Sequence, residues 1–185
     1  RDLETADTAI NAALTGHLVF STLHTNNAAG AVPRLVNLGV KPNSIAPAIN
    51  VVMAQRLVRK LCAHCRLKQD LTDKQKQEIK KELEQFPKTI PPPKENEWSV
   101  FSAKTDGCPS CNGMGYKGRI SIFEIILMDD AMEELILKNP SEYEIKKEAA
   151  RQEQITLAQD GLLKVLGGVT DFAEVERATG AEVLS

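Results

Sequence analysis

Apolar residues recur at helical spacing over positions 3–14 (Leu3, Ala6, Ala9, Ile10, Ala13, Leu14), and Gly16 follows as a stop, so the chain opens on a predicted helix. The period then breaks. His17-Leu-Val-Phe-Ser-Thr-Leu23 is a short apolar run rich in β-formers, which predicts a buried strand of a parallel sheet. At its carboxyl end stands the polar cluster His24-Thr25-Asn26-Asn27, followed by a helical pattern over 28–38. Open α/β sheets bind ligands in the crevice beyond the carboxyl ends of their strands, so this cluster, with Ser21 and Thr22 beside it, is the first candidate site.

Pro33 lies inside the 28–38 pattern and is expected to kink or split that helix, because it lacks a backbone donor. Residues 39–42 read as a turn, 43–54 as a second helix interrupted by Pro47, and 55–61 as a strand or extended segment leading to Cys62. Thr72-x-x-Gln75 has the form of a capping box opening a charged helix that ends near Phe86. Residues 87–97, with three consecutive prolines at 91–93, read as an exposed loop or linker. Strands are predicted at 98–103 and 118–128. Beyond them Ser141/Glu144, Thr156/Gln159 and Asp171/Glu174 mark helix starts of a small C-terminal bundle. The fold class is therefore α/β with a helical C-terminal part.

All four cysteines fall into two Cys-x-x-Cys pairs, Cys62/Cys65 and Cys108/Cys111. Two intervening residues let both thiolates of a knuckle reach one ion, and two knuckles complete the S4 shell that Zn²⁺ accepts. Such a closed shell leaves no position for substrate, so the predicted role of the metal is structural. Disulfides are the competing reading, but a Cys-x-x-Cys disulfide closes a strained small ring suited to redox enzymes. His64 lies within the first knuckle and could replace a cysteine, although the four thiolates already complete the shell. Glycines at 113 and 115 fit a turn whose backbone amides bend toward sulfur. This part is similar to one Cys-x-x-Cys-x-Gly-x-Gly unit of a DnaJ-type zinc domain, a likeness of knuckle geometry. The metal would staple the excursion 66–107 back onto the body of the protein.

Composition narrows the picture. A formal charge of −2 and 4% aromatic content argue against a wholesale nucleic-acid binder. The apolar runs are too short to cross a bilayer and the start does not read as a signal peptide, so a cytosolic location is expected. Locally, Arg56, Arg59, Lys60, Arg66 and Lys68 form a purely basic stretch. A solvated face, a nucleic-acid patch, or charge aimed at a nucleotide phosphate or a neighbouring subunit would each account for it.

In order along the chain, Arg1-Asp-Leu-Glu-Thr-Ala, Ala12-Ala-Leu-Thr-Gly-His, Ser21-Thr-Leu-His-Thr-Asn, Gln55-Arg-Leu-Val-Arg-Lys-Leu-Cys and Cys111-Asn-Gly-Met-Gly-Tyr-Lys-Gly-Arg resemble the secretion ATPases of type II secretion and type IV pilus assembly. The resemblance implies a RecA-like P-loop ATPase core, here partial, over 1–61. A tetracysteine zinc element with a Pro-rich insertion would span 62–127, and a C-terminal helical subdomain 128–185. Arg1-Asp2 would be the tail of a Walker B segment and 21–26 the histidine box. His24 would sense or polarise the γ-phosphate, with Thr22 and Thr25 holding its loop. Gln55 and Arg56 would lie close to nucleotide, supported by Arg119. The family further implies ATP and Mg²⁺ as ligands, a homo-hexamer, platform proteins at the inner membrane, and a cytoplasmic, peripheral location.

The phosphate-cradling Gly-x-x-x-x-Gly-Lys-Ser/Thr is absent from the 185 residues. The chain is therefore expected to be a carboxy-terminal fragment, inactive by itself. The alternative is a non-enzymatic zinc module that binds nucleic acid or protein through 56–68.

Overall fold

The computed structural model describes residues 2–181, so Arg1, expected from the resemblance to belong to the tail of a Walker B segment, lies outside the described residues. The α/β class holds, in two compact units. One comprises the residues up to Ala54 with Glu124–Gln154; the other comprises Gln55–Phe123 and the residues from Ile155 onward.

The first unit begins with α1 (Leu3–Leu14), capped by Asp2, whose carboxylate accepts the Thr5 N–H at 2.8 Å. α2 (Ala31–Asn37) starts later than the periodicity suggested, and Pro33 is its third residue. There a backbone N–H has no intrahelical acceptor to lose, so the expected kink does not arise. The helix expected over 43–54 is also corrected. Only α3 (Pro42–Ile45) forms, with Pro42 at its start, and the chain turns before entering β1 (Val51–Leu61). Pro47 lacks the donor that would continue the helix, and the β-branched pair Val51-Val52 suits a strand. β1 pairs with β4 (Tyr116–Leu127) in a two-stranded sheet, of which only residues 51–54 and 124–127 belong to this unit. α5 (Asp130–Leu137) and α6 (Glu142–Arg151) complete this unit, α6 opening on the Ser141/Glu144 capping box read from sequence. Ile10, Val32, Leu35, Ile45, Ile126, Met132, Ile136 and Ile145 make its core.

Residues 17–23 do not form the predicted buried strand. They run without regular structure, and Leu18 and Phe20 are 82% and 87% exposed. An apolar run records a demand for neighbours on both faces, but a strand exists only where a ladder partner lies beside it. The sheets among the described residues contain no partner for this segment.

In the second unit β2 (Leu67–Lys68) pairs antiparallel with β3 (Phe101–Ser102), Leu67 opposite Ser102. α4 (Asp73–Leu83) carries the predicted Thr72/Gln75 capping box. α7 (Leu157–Leu166) and α8 (Phe172–Thr179) begin at Thr156 and Asp171, as the sequence indicated. Their shared core joins Ile79, Leu83 and Phe86 to Leu162, Val165, Leu166 and Val175. The excursion 66–107 thus buries apolar surface of its own and is not held by the cysteines alone. Within it, the Pro-rich loop is tied down by the Trp98 indole N–H on the Pro93 carbonyl (3.0 Å) and by Lys80 on Glu95 (2.7 Å). The four C-terminal helices do not share one unit: α5 and α6 belong to the first, α7 and α8 to the second.

Candidate metal centre and histidine loop

β1 delivers Cys62 at its end, and the Cys62 N–H donates to the Gly115 carbonyl (2.9 Å) just before β4. The chain then closes a tight knuckle, with the Cys65 and Arg66 N–H groups on the Cys62 carbonyl at 3.2 and 2.9 Å. The second knuckle turns likewise, with the Cys111 and Gly113 N–H groups both 3.1 Å from the Cys108 carbonyl. Gly115 sits at φ +74, where a Cβ would lie 2.6 Å from the Lys104 carbonyl oxygen, so this turn requires glycine.

The two knuckles meet. The four Sγ atoms lie within 4.8 Å of one another, an arrangement that can hold a metal ion. Cys62 to Cys108, Cys65 to Cys111 and Cys108 to Cys111 are each 3.8 Å apart, far beyond the ~2.05 Å of a disulfide. None of the four forms a disulfide, and Cys62 and Cys111 are buried. Burial pushes the Cys111 thiol up, but N–H groups from Cys108 (3.1 Å) and Gly115 (3.3 Å) outweigh it and bring the group down to about 6. Burial, together with the neighbouring cysteines, pushes Cys65 up to about 12. His64 is exposed and stands outside the sulfur cluster.

The histidine loop belongs to the first unit. His24 and Thr22 are exposed, on the same irregular segment as Leu18 and Phe20. The Thr25 hydroxyl donates to the Asn27 carbonyl (2.9 Å). Asn27 Oδ1 accepts the Gly30 N–H (2.9 Å) and its Nδ2 donates to Glu142 at the start of α6 (2.8 Å). The Ala28 N–H donates to Glu124 of β4 (2.9 Å).

Gln55, Arg56 and Arg119 belong to the second unit. Successive strand residues point to opposite faces, so Gln55 and Arg56 cannot meet one ligand from the same side of β1. Gln55 Nε2 donates to Ser121 Oγ of β4 at 2.6 Å. Arg59, Arg119, Arg177 and Leu57 line an open cavity of about 490 Å³.

One group escaped sequence reading. Glu174, which the pattern paired with Asp171 as a helix start, is 1% exposed; Asp171 does cap α8, while the Glu174 carboxylate turns to Arg59 and Arg177. Burial alone would raise its pKa, but the two guanidinium groups and the Arg59 N–H outweigh that and hold it at about 2. Asp171 also accepts from the Tyr116 hydroxyl (2.8 Å), and burial followed by that bond raises the tyrosine. The basic stretch is partly engaged within the chain. Arg59 also stacks 4.1 Å over Tyr116, while Arg66 donates to the Gly168 carbonyl (2.6 Å) and stacks 4.1 Å over Phe101.

The family described as Type II/IV secretion system protein matches residues 1–177. A Type IV pilus assembly ATPase PilB of Thermus thermophilus is 43% identical over 178 residues, covering 95% of this chain and 18% of its own length. The Type II secretion system ATPase E of Vibrio cholerae is 41% identical over 179 residues, covering 97% and 33%. A PilB of Myxococcus xanthus is 39% identical over 175 residues, covering 95% and 29%. The chain thus spans a third or less of the length of these relatives. Among solved structures, the Legionella pneumophila ATPase DotB shares the fold at a TM-score of 0.56 and 19% identity, over 96% of this chain and 36% of its own.

Proposed function

The chain belongs to the Type II/IV secretion system protein family, and from that premise we propose that it forms part of an ATP-hydrolysing motor of type II secretion or type IV pilus assembly. The observation that carries this reading is the near-complete coverage of the chain by relatives named as secretion or pilus-assembly ATPases. In this reading His24 faces the γ-phosphate of ATP, and Thr22 and Thr25 hold its loop. Charge-assisted donors around the transferring phosphoryl group are the expected contribution of such residues. Gln55 and Arg56, from opposite faces of β1, lie close to the nucleotide, and Arg119 supports that region. Because no phosphate loop lies within these residues, the chain by itself does not turn over ATP.

Cys62, Cys65, Cys108 and Cys111 hold a structural zinc. Four thiolates about 2.3 Å from a central Zn²⁺ define a tetrahedron with edges of about 3.8 Å, which supports the assignment because three Sγ pairs stand 3.8 Å apart. The parent works as a homo-hexamer, cytoplasmic and peripheral at the inner membrane, against platform proteins of the machine. No helix among the described residues is long and apolar enough to cross a membrane. The alternative, a nucleic-acid or protein module using 56–68, is less well supported, since Arg59 and Arg66 are committed to contacts within the chain.

The test is steady-state ATP turnover by this chain, by the full-length parent, and by the parent carrying His24→Ala. Turnover by the parent, its depression by His24→Ala and none by the isolated chain are expected. Unaltered turnover in the variant would remove the phosphate-facing role of His24, and a parent without a phosphate loop would remove the motor reading.

A further inference from the structure

His24 stands on a segment with no strand partner among the described residues, so its position depends on whatever grips the chain just beyond it. Only Thr25, Asn26 and Asn27 separate it from Ala28, which is 2% exposed. At that point two carboxylates arrive from residues roughly a hundred positions away in the chain. Glu124 accepts the Ala28 N–H at 2.9 Å, and Glu142 accepts the Asn27 side-chain N–H at 2.8 Å. The Asn27 amide is thereby oriented so that its oxygen receives the Gly30 N–H (2.9 Å), while its carbonyl receives the Thr25 hydroxyl (2.9 Å). A Cβ at Gly30 would lie 3.4 Å from Asn27 Oδ1 and 3.5 Å from Glu142 Oε2, so the acid lies directly against the turn. Lys146 holds Glu142 from one turn along α6, at 2.6 Å.

We infer that Glu124 and Glu142 are positioning residues for His24: they fix both the backbone and the Asn27 side chain of the turn that follows it. The inference rests on the phosphate-facing reading of His24. Ionised acceptors make stronger bonds than neutral ones, which suits a loop that must stay in one place without a sheet around it. A catalytic donor displaced by an ångström loses much of its effect even though nothing near the chemistry has changed. The simpler account, that Glu124 merely satisfies a buried N–H, does not cover Glu142, whose partner is a side-chain amide.

The experiment uses the full-length parent with Glu124→Ala, Glu142→Ala, the Gln variant at each position, His24→Ala, and His24→Ala combined with each alanine change. Positioning predicts that each single Ala change lowers kcat by roughly 10- to 100-fold with KM little altered. The Gln variants, which keep an acceptor oxygen, should recover much of that loss. In the His24→Ala background, Glu124→Ala and Glu142→Ala should cost nothing further in kcat, because residues acting as a unit are non-additive. If His24→Ala depresses turnover while the Glu variants leave kcat intact, or add their full effect to it, positioning is overturned and the reading of His24 survives. If His24→Ala itself has no effect, both fall. Should an Ala variant fail to fold, the Gln variant alone and combined with His24→Ala decides the same question.

Discussion

Glu174 and Arg59, 115 positions apart in sequence, are locked together twice: the carboxylate accepts the Arg59 guanidinium at 2.5 Å and the Arg59 backbone N–H at 2.9 Å. Since both guanidinium partners are about half exposed, at 47% and 56%, screening limits what the ion pairs contribute. The larger cost of losing the acid is the N–H of Arg59 left without an acceptor. Glu174→Ala should therefore lower unfolding stability by about 3 kcal/mol and Glu174→Gln by less, read from urea midpoints. Equal losses in the two variants would mean that the charge, not the backbone acceptor, dominates.

The same carboxylate predicts an acid response. Its folded-state pKa of about 2 lies below the ordinary 4.5, so the stabilisation it provides is complete above pH 4.5 and is lost as pH falls toward 2. The stability gap between the parent sequence and Glu174→Gln should close across that window. A gap that stays constant from neutral pH to pH 2 would refute the assignment.

α7 and α8 pack against each other at Gly161, where a Cβ would lie 2.4 Å from Val175 Cγ1 and 3.0 Å from its Cγ2. Valine is stiff at χ1 and this one is fully buried, so the neighbour cannot swing aside. Gly161→Ala should destabilise by about 1–3 kcal/mol. Adding Val175→Ala should cost less than the sum of the two single changes, since the clash is then relieved. Strict additivity in a thermal melt would count against it.

For the cysteine cluster, purified protein should carry about one zinc per chain, and Cys111→Ser should lose it. Chelation should lower the melting midpoint without abolishing the helical signal at ambient temperature, because α4, α7 and α8 keep their own core of Ile79, Leu83, Leu162 and Val175. Metal content well below one, with melting unmoved by chelator, would reject a structural site.

What the sequence determined was local. Capping boxes at Thr72, Ser141 and Thr156 are legible because both partners lie three residues apart, and the Cys-x-x-Cys pairs are legible because a knuckle is set by its own short turn. That the two knuckles converge was an inference from valence and is now a distance. Pro33 misled because its effect depends on its place within the helix, and periodicity locates helix ends only loosely. Residues 17–23 misled for a different reason: hydrophobicity states that a segment wants burial but not which strands lie beside it. Only the tertiary structure could pair Glu174 with Arg59, bring Glu124 and Glu142 to the turn after His24, and set Gly161 against Val175. Each contact joins residues remote in sequence or on separate elements, and side-chain type alone carries no information about which remote partner the packing will supply.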